Sequence, residues 1–238
     1  ILHSIMDYYK LKGKLTINES LINRPVKSLA ESLIHNFKFM KFHFSRSSTF
    51  DFETQDRCIY SHNTDVEKAM PALGPVMKSS QLSIICKAEG EYEIINSPIY
   101  YFEVTFIRNP DLSMEIDPPT VSIGVTTRHE YPEDKMIGWL SGSVGYHSDD
   151  GGLFVEKGMY SSQISPPTDY DETMGCGYIP RTGEVFMTQN GVKIKSLRFK
   201  KECRFGIGVK LVEGIRFNYG KTPFLFNLYQ EILENKNN

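Results

Sequence analysis

Cysteine is scarce and scattered in this chain: Cys58, Cys86, Cys176 and Cys203 stand far apart, and none forms a CxxC pair. That spacing argues against a disulfide framework or a zinc site and fits buried thiols in a reducing compartment, so a cytoplasmic location is expected. Tryptophan occurs once, as Trp139. No apolar run approaches the ~18 residues needed to cross a bilayer. Neither sign of charge is in excess, because 27 Lys and Arg stand against 29 Asp and Glu for a formal net charge of −2. A chain so balanced has no overall field with which to attract nucleic acid or an acidic membrane. With 40% hydrophobic and 24% charged residues among 238, it is too apolar for a disordered segment. The length suits one large domain, or a domain with an appendage. The chain opens on Ile1, which reads as the mark of a fragment.

The residue pattern changes near position 80. Before it, one stretch has helical spacing: Ser28 and Glu31 form a capping box, and Leu29, Leu33, Phe37 and Met40 follow. A helix is therefore expected over 28–40, and residues 1–79 read as an N-terminal extension completed by an irregular linker. After position 80, short runs alternate. Tyr100, Phe102, Val104 and Phe106 form one series, and Val121, Ile123 and Val125 a second. Phe205, Ile207, Val209 and Leu211 form a third, and Ile215, Phe217 and Tyr219 a fourth. A period of two with one apolar face is the pattern of a half-buried strand. Pro180-Arg181-Thr182-Gly183 and Asn190-Gly191 supply turns that make a three-strand meander of residues 175–195. Many short strands without intervening helices predict an all-β, antiparallel β-sandwich over 80–228, with 229–238 as a tail.

The strands also carry motifs in a fixed order. Ile99-Tyr100-Tyr101-Phe102-Glu103-Val104 comes first, then Val121-Ser122-Ile123-Gly124-Val125-Thr126-Thr127. Gly138-Trp139 precedes Ser143-Val144-Gly145-Tyr146-His147-Ser148-Asp149-Asp150-Gly151. Gly175-Cys176-Gly177-Tyr178, Phe186-Met187-Thr188-Gln189-Asn190-Gly191 and Phe217-Asn218-Tyr219-Gly220-Lys221-Thr222-Pro223-Phe224 complete the series. Together these resemble a SPRY domain, a concanavalin-like twisted β-sandwich, across residues 81–227. The resemblance is nearest to the Ran-binding-protein-M group and to fungal endosomal adaptors of the Ssh/Ear type.

That resemblance implies a non-catalytic module that needs no cofactor and grips a short segment of another protein through loops at one end of the sandwich. Carried over position by position, the peptide-binding residues are Ala88, Glu89 and Gly90, then Tyr131, then Lys210, Leu211 and Val212. In the resembling groups such a module serves as an adaptor or scaffold linked to a ubiquitin ligase complex or to endosomal cargo sorting. Loops displayed on a rigid two-sheet frame suit that task on physical grounds as well.

Other residues invite chemistry and are read structurally. Trp139 is expected in the core beneath the loops. Glu103 lacks a second positioned acid, so it reads as a structural partner. The runner-up reading, a concanavalin-type glycan-binding or glycan-cleaving domain, would need Glu103 and Glu184 as a carboxylate pair. His147 with Asp149 and Asp150 is too small a donor set for zinc or calcium, so no metal is expected. In Gly214-Ile215-Arg216-Phe217-Asn218-Tyr219-Gly220-Lys221-Thr222 the glycines are one residue too far apart for a phosphate loop. Lys193, Lys195, Arg198, Lys200, Lys201 and Arg204 read as a solvated strand edge, not a nucleic-acid surface, because Phe199 alone could stack on a base. Asn18-Glu19-Ser20 is a glycosylation acceptor only in a secreted chain.

Overall fold

The computed structural model describes residues 14–17, 50–53, 58–61, 69–77, 83–88, 91–95, 99–108, 119–199, 202–220 and 222–236. The strands before the sandwich motifs are β1 (Lys14–Ile17), β2 (Phe50–Glu53), β3 (Cys58–Ser61), β4 (Met70–Val76), β5 (Ser83–Ala88) and β6 (Glu91–Ile95). Then come β7 (Tyr100–Ile107), β8 (Thr120–Thr126), β9 (Ser143–His147), β10 (Gly152–Val155) and β11 (Met159–Gln163). The last are β12 (Thr173–Ile179), β13 (Glu184–Gln189), β14 (Val192–Arg198), β15 (Arg204–Leu211) and β16 (Gly214–Asn218), followed by helix α1 (Leu228–Lys236). The helix expected over 28–40 lies outside the described residues.

A six-stranded sheet has the order β11-β10-β9-β8-β15-β4, and a seven-stranded sheet the order β14-β13-β12-β7-β16-β3-β2. Their facing sides interlock in one apolar core. Val121, Ile123, Val125, Tyr146 and Ile207 meet Phe102, Val104, Phe106, Cys176 and Met187, all fully buried. Side chains alternate across a pleated strand, so each of these strands turns every second residue to that core. Strands β1, β6 and β5 form a separate three-stranded sheet.

Three sequence expectations are met in detail. Strands β12, β13 and β14 pair antiparallel in succession. Asn190 and Gly191 both have positive φ, 48° and 78°, as the two-residue hairpin requires. The four alternating series lie in strands, except that Tyr219 falls just past the end of β16.

The linker expectation fails at Met70–Val76, which is β4 and pairs with β15 at the edge of the six-stranded sheet. Pro71 and Pro75 hide it from pattern reading, yet an edge strand tolerates proline because one side of its backbone needs no partner. Strands β2 and β3 likewise extend the seven-stranded sheet next to β16. The sandwich thus begins well before position 80.

Half-burial fails as well, because the central strands are buried on both faces. On the outer side of the six-stranded sheet, residues 136–138 lie directly on the backbone. The Ile137 N–H donates to Ser122 Oγ at 2.8 Å, and the His147 Nε2–H donates to the Ile137 carbonyl at 2.8 Å. A Cβ at Gly145 would overlap that same carbonyl. Glycine there is a condition of close approach, not of turning.

The seven-stranded sheet is covered by the chain's last described segment. Phe226, Leu228 and Ile232 pack with Ile99, Tyr101, Ile179 and Phe186 in a second apolar cluster. Each such side chain taken from water contributes about 1.5–3 kcal/mol. The expected tail is therefore a packed helix. Beneath it, Glu103 is 3% exposed. Its carboxylate accepts the N–H groups of Leu225 and Phe226 at 3.1 and 3.0 Å and the Tyr101 hydroxyl at 3.0 Å.

Candidate functional site

The turn between β15 and β16 is pinned from below. Glu213, 3% exposed, pairs with Arg108 at 2.7 Å, and the Arg108 guanidinium lies 3.9 Å above the Tyr170 ring. The Tyr170 hydroxyl accepts the Glu213 N–H at 3.3 Å. A buried carboxylate with a charge-assisted partner gives a turn little freedom to move. Lys210 and Leu211, the last two residues of β15, stand half-buried where the strand enters this fixed turn. Val212 does not join them outside: it is 1% exposed and packs in the main core, so it supports the turn without facing a ligand.

Tyr131 also has an internal task. Its hydroxyl donates to the Met136 carbonyl at 3.0 Å, accepts the Leu140 N–H at 3.3 Å, and lies 3.2 Å from Ser143 Oγ. Ser143 pairs with Thr126, whereas Leu211 pairs with Thr120. At about 3.3 Å per residue, the Tyr131 hydroxyl and Leu211 sit roughly 20 Å apart along β8. After Tyr131 the accessible part of this loop is residues 132–135. It returns toward the Leu211 end, because the Asp134 N–H donates to the Ala69 carbonyl at 3.0 Å, and Met70 pairs with Val209. Ala88 ends β5 in the three-stranded sheet, and Glu89 and Gly90 lie outside the described residues.

The glycan-cleaving arrangement finds little support. Glu103 is engaged by the chain's own backbone, and Glu184 is 3.1 Å from Lys193 Nζ. Lys193 also reaches Glu231 of α1 at 2.8 Å, so this lysine of the basic segment ties the helix to the sheet. Burial holds the Glu103 carboxyl above its usual range despite the N–H groups that favour its ionised form. Burial likewise pushes the Cys203 thiol up to about 12 and raises the Cys176 thiol. Buried thiols held protonated are poor nucleophiles. Among the described residues no group of three His, Cys, Asp or Glu could hold a metal ion. The segment that mimics a phosphate loop is extended as β16 over Gly214–Asn218.

Trp139 departs from its expected place. It is 38% exposed on the outer side of the six-stranded sheet. Its ring lies 6.0 Å from His147, which lies 4.2 Å from Phe154, which lies 5.4 Å from Tyr160. His147 faces outward because it pairs with Ser122, whose hydroxyl holds the overlying segment. Trp139 rides on that segment two residues past Ile137. No period in the sequence marks a segment that lies across a sheet.

Among the described residues no helix is long and apolar enough to cross a membrane. The chain is similar to protein ssh4 of Aspergillus clavatus, 29% identical over 131 residues, which cover 54% of this chain and 24% of that protein. It is also similar to SPRY domain-containing protein 3 of Homo sapiens, 30% identical over 101 residues, 40% of this chain and 21% of that one. The matched stretch thus spans about a quarter of the length of these curated relatives. A crystal structure of a human SPRY domain aligns with 75% of this chain and 97% of its own, at 19% identity and a TM-score of 0.49. The family model for the SPRY domain matches residues 99–222, more than half of the sequence, and with β7 to β16 of the two sheets inside that span the chain belongs to the SPRY domain family.

Proposed function

We propose that this SPRY domain is a non-catalytic receptor for a short linear segment of another protein. The observation that carries the reading is the pinned turn: Arg108, Glu213 and Tyr170 hold it rigid while Lys210 and Leu211 remain accessible. A preorganised turn spends little entropy on ordering when it binds. The neighbouring loop at 132–135 supplies further accessible side chains, and the resemblance adds Glu89 and Gly90. Leu211 contributes apolar contact, and exposed backbone contributes hydrogen bonds. Val212 and the Tyr131 hydroxyl keep these loops in place.

In this reading the domain brings its bound protein to a larger cytoplasmic assembly. The resemblance to the Ran-binding-protein-M group and to fungal Ssh/Ear-type adaptors favours an adaptor, linked to a ubiquitin ligase or to endosomal sorting. The test is affinity capture with the full chain, followed by peptide-array mapping of each captured protein. Lys210→Glu with Leu211→Ala should abolish capture of the mapped segment, while Glu103→Gln should not. Retained binding by the double variant would remove the turn from the site.

A further inference from the structure

Each sheet of a sandwich has two edges, and an unprotected edge pairs with foreign strands. Three of the four edges here carry protection. β4 has Pro71 and Pro75, β14 has Lys193, Lys195 and Arg198, and β2 has Asp51 and Glu53. The fourth, β11, has neither proline nor charge in Met159-Tyr160-Ser161-Ser162-Gln163. Met159 and Tyr160 are 60% and 53% exposed. Among the described residues no strand lies beyond β11.

The surface beside this edge has a definite chemistry. Tyr160 pairs with Phe154, and Phe154 with Gly145, so their side chains share the outer face with His147 and Trp139. The row of rings ends at an acid. Asp150 Oδ1 accepts the Gly152 N–H at 2.7 Å, and a Cβ at Gly152 would touch both the Asp150 carboxylate and the Tyr160 ring. The carboxylate and the ring therefore flank one spot. In the same turn, Asp149 Oδ1 is buried without a hydrogen-bond donor. At the opposite end of β11, Glu156 accepts the Gly142 N–H at 3.0 Å and is followed by Lys157. An aromatic face next to a carboxylate suits a guanidinium or an ammonium, which interacts with both.

We propose that the edge of β11, together with the Trp139–Tyr160 aromatic row and Asp150, binds an extended polypeptide segment that carries an arginine or lysine. The segment adds as a further strand, its cation between Tyr160 and Asp150 and its alternate apolar side chains beside the exposed Tyr160 ring. Main-chain pairing supplies affinity, and the acid supplies selectivity. This surface lies across four strand spacings from β15, roughly 19 Å, and is separate from the Lys210 turn.

Trp139 is the sole tryptophan, so its emission reports occupancy directly. The probe is the acetylated, amidated peptide Thr-Phe-Thr-Arg-Thr-Phe-Thr, titrated into the full chain, with Lys and Glu versions and a backbone N-methylated version. The Arg and Lys peptides should shift the emission saturably, and the Glu and N-methylated peptides should bind at least tenfold more weakly. Asp150→Asn keeps the acceptor for the Gly152 N–H and should weaken the Arg peptide at least tenfold, as should Tyr160→Ala. Leu211→Ala should leave it unchanged, which separates this surface from the turn. Equal binding of the Arg and Glu peptides, indifference to N-methylation or to Asp150→Asn, or no binding by any peptide overturns the proposal.

Discussion

Glu103 Oε1 accepts the backbone N–H of Phe226 at 3.0 Å, joining β7 to a segment 123 residues further along the chain. The same carboxylate takes the adjacent Leu225 N–H and the Tyr101 hydroxyl, which in turn meets Thr188 Oγ1 at 2.7 Å. One acid thus fastens the C-terminal cover to the outer face of the seven-stranded sheet.

Removing that acid should release the cover before the sandwich. Glu103→Ala leaves two backbone donors without an acceptor, each costing about 1–3 kcal/mol while buried. Amide exchange over 224–232 should accelerate strongly, with β8 and β15 amides still protected. Uniform acceleration across all strands would show that the cover and the sandwich unfold together.

Ile232 is fully buried in the second apolar cluster. Ile232→Ala should lower the unfolding free energy by about 2–5 kcal/mol, the range for truncating a buried aliphatic side chain. Urea unfolding followed by circular dichroism measures it.

His147 predicts an acid-sensitive fold. Burial lowers its pKa from the ordinary 6.5, outweighing the Ile137 carbonyl and the Asp149 and Asp150 charges that favour the cation. The unfolded chain therefore binds this proton more readily than the native one. The stability contribution is complete above pH 6.5 and declines as pH falls toward the lowered folded value. Thermal melting at pH 7.5 and pH 5.5, compared with His147→Gln, should show less acid destabilisation in the variant.

Gly145 cannot accept a side chain, because a Cβ would meet the Ile137 carbonyl and its carbon. Gly145→Ala should cost about 3 kcal/mol or more, through backbone displacement or overpacking. The emission of Trp139, two residues beyond Ile137, should change with it. An unaltered melting temperature would mean that the overlying segment yields freely.

The pinned turn offers a coupling measurement. Arg108→Ala strands the buried Glu213 carboxylate, and Glu213→Gln removes the charge that needs Arg108. The Arg108 side chain is 41% exposed, so solvent screening reduces the pair to about 1 kcal/mol. A double-mutant cycle should recover a coupling of that order, with the double variant less destabilised than the sum of the singles.

Pattern reading reached some of these features and missed others for specific reasons. Phe205, Ile207 and Val209 announce β15 because alternation is a property of one strand. Gly206 and Gly208 in the gaps look like a solvated face, and they are instead the floor beneath Met136 and Ile137. Leu211 lies on an accessible turn as its loop position implies, whereas Val212, one residue later, turns inward. Tyr131 belongs to the expected loop, but its hydroxyl is spent on Met136 and Leu140.

The order of residues alone determined the period-two strands, the Asn190-Gly191 hairpin and the motif series of a SPRY sandwich, because these depend on local backbone geometry and spacing. Which faces are covered, which strand stands at a sheet edge among the described residues and which acid is buried came only with the tertiary structure. Those properties arise where segments such as 136–138 and 224–232 cross strands far from them in the chain, and no local repeat encodes such a crossing.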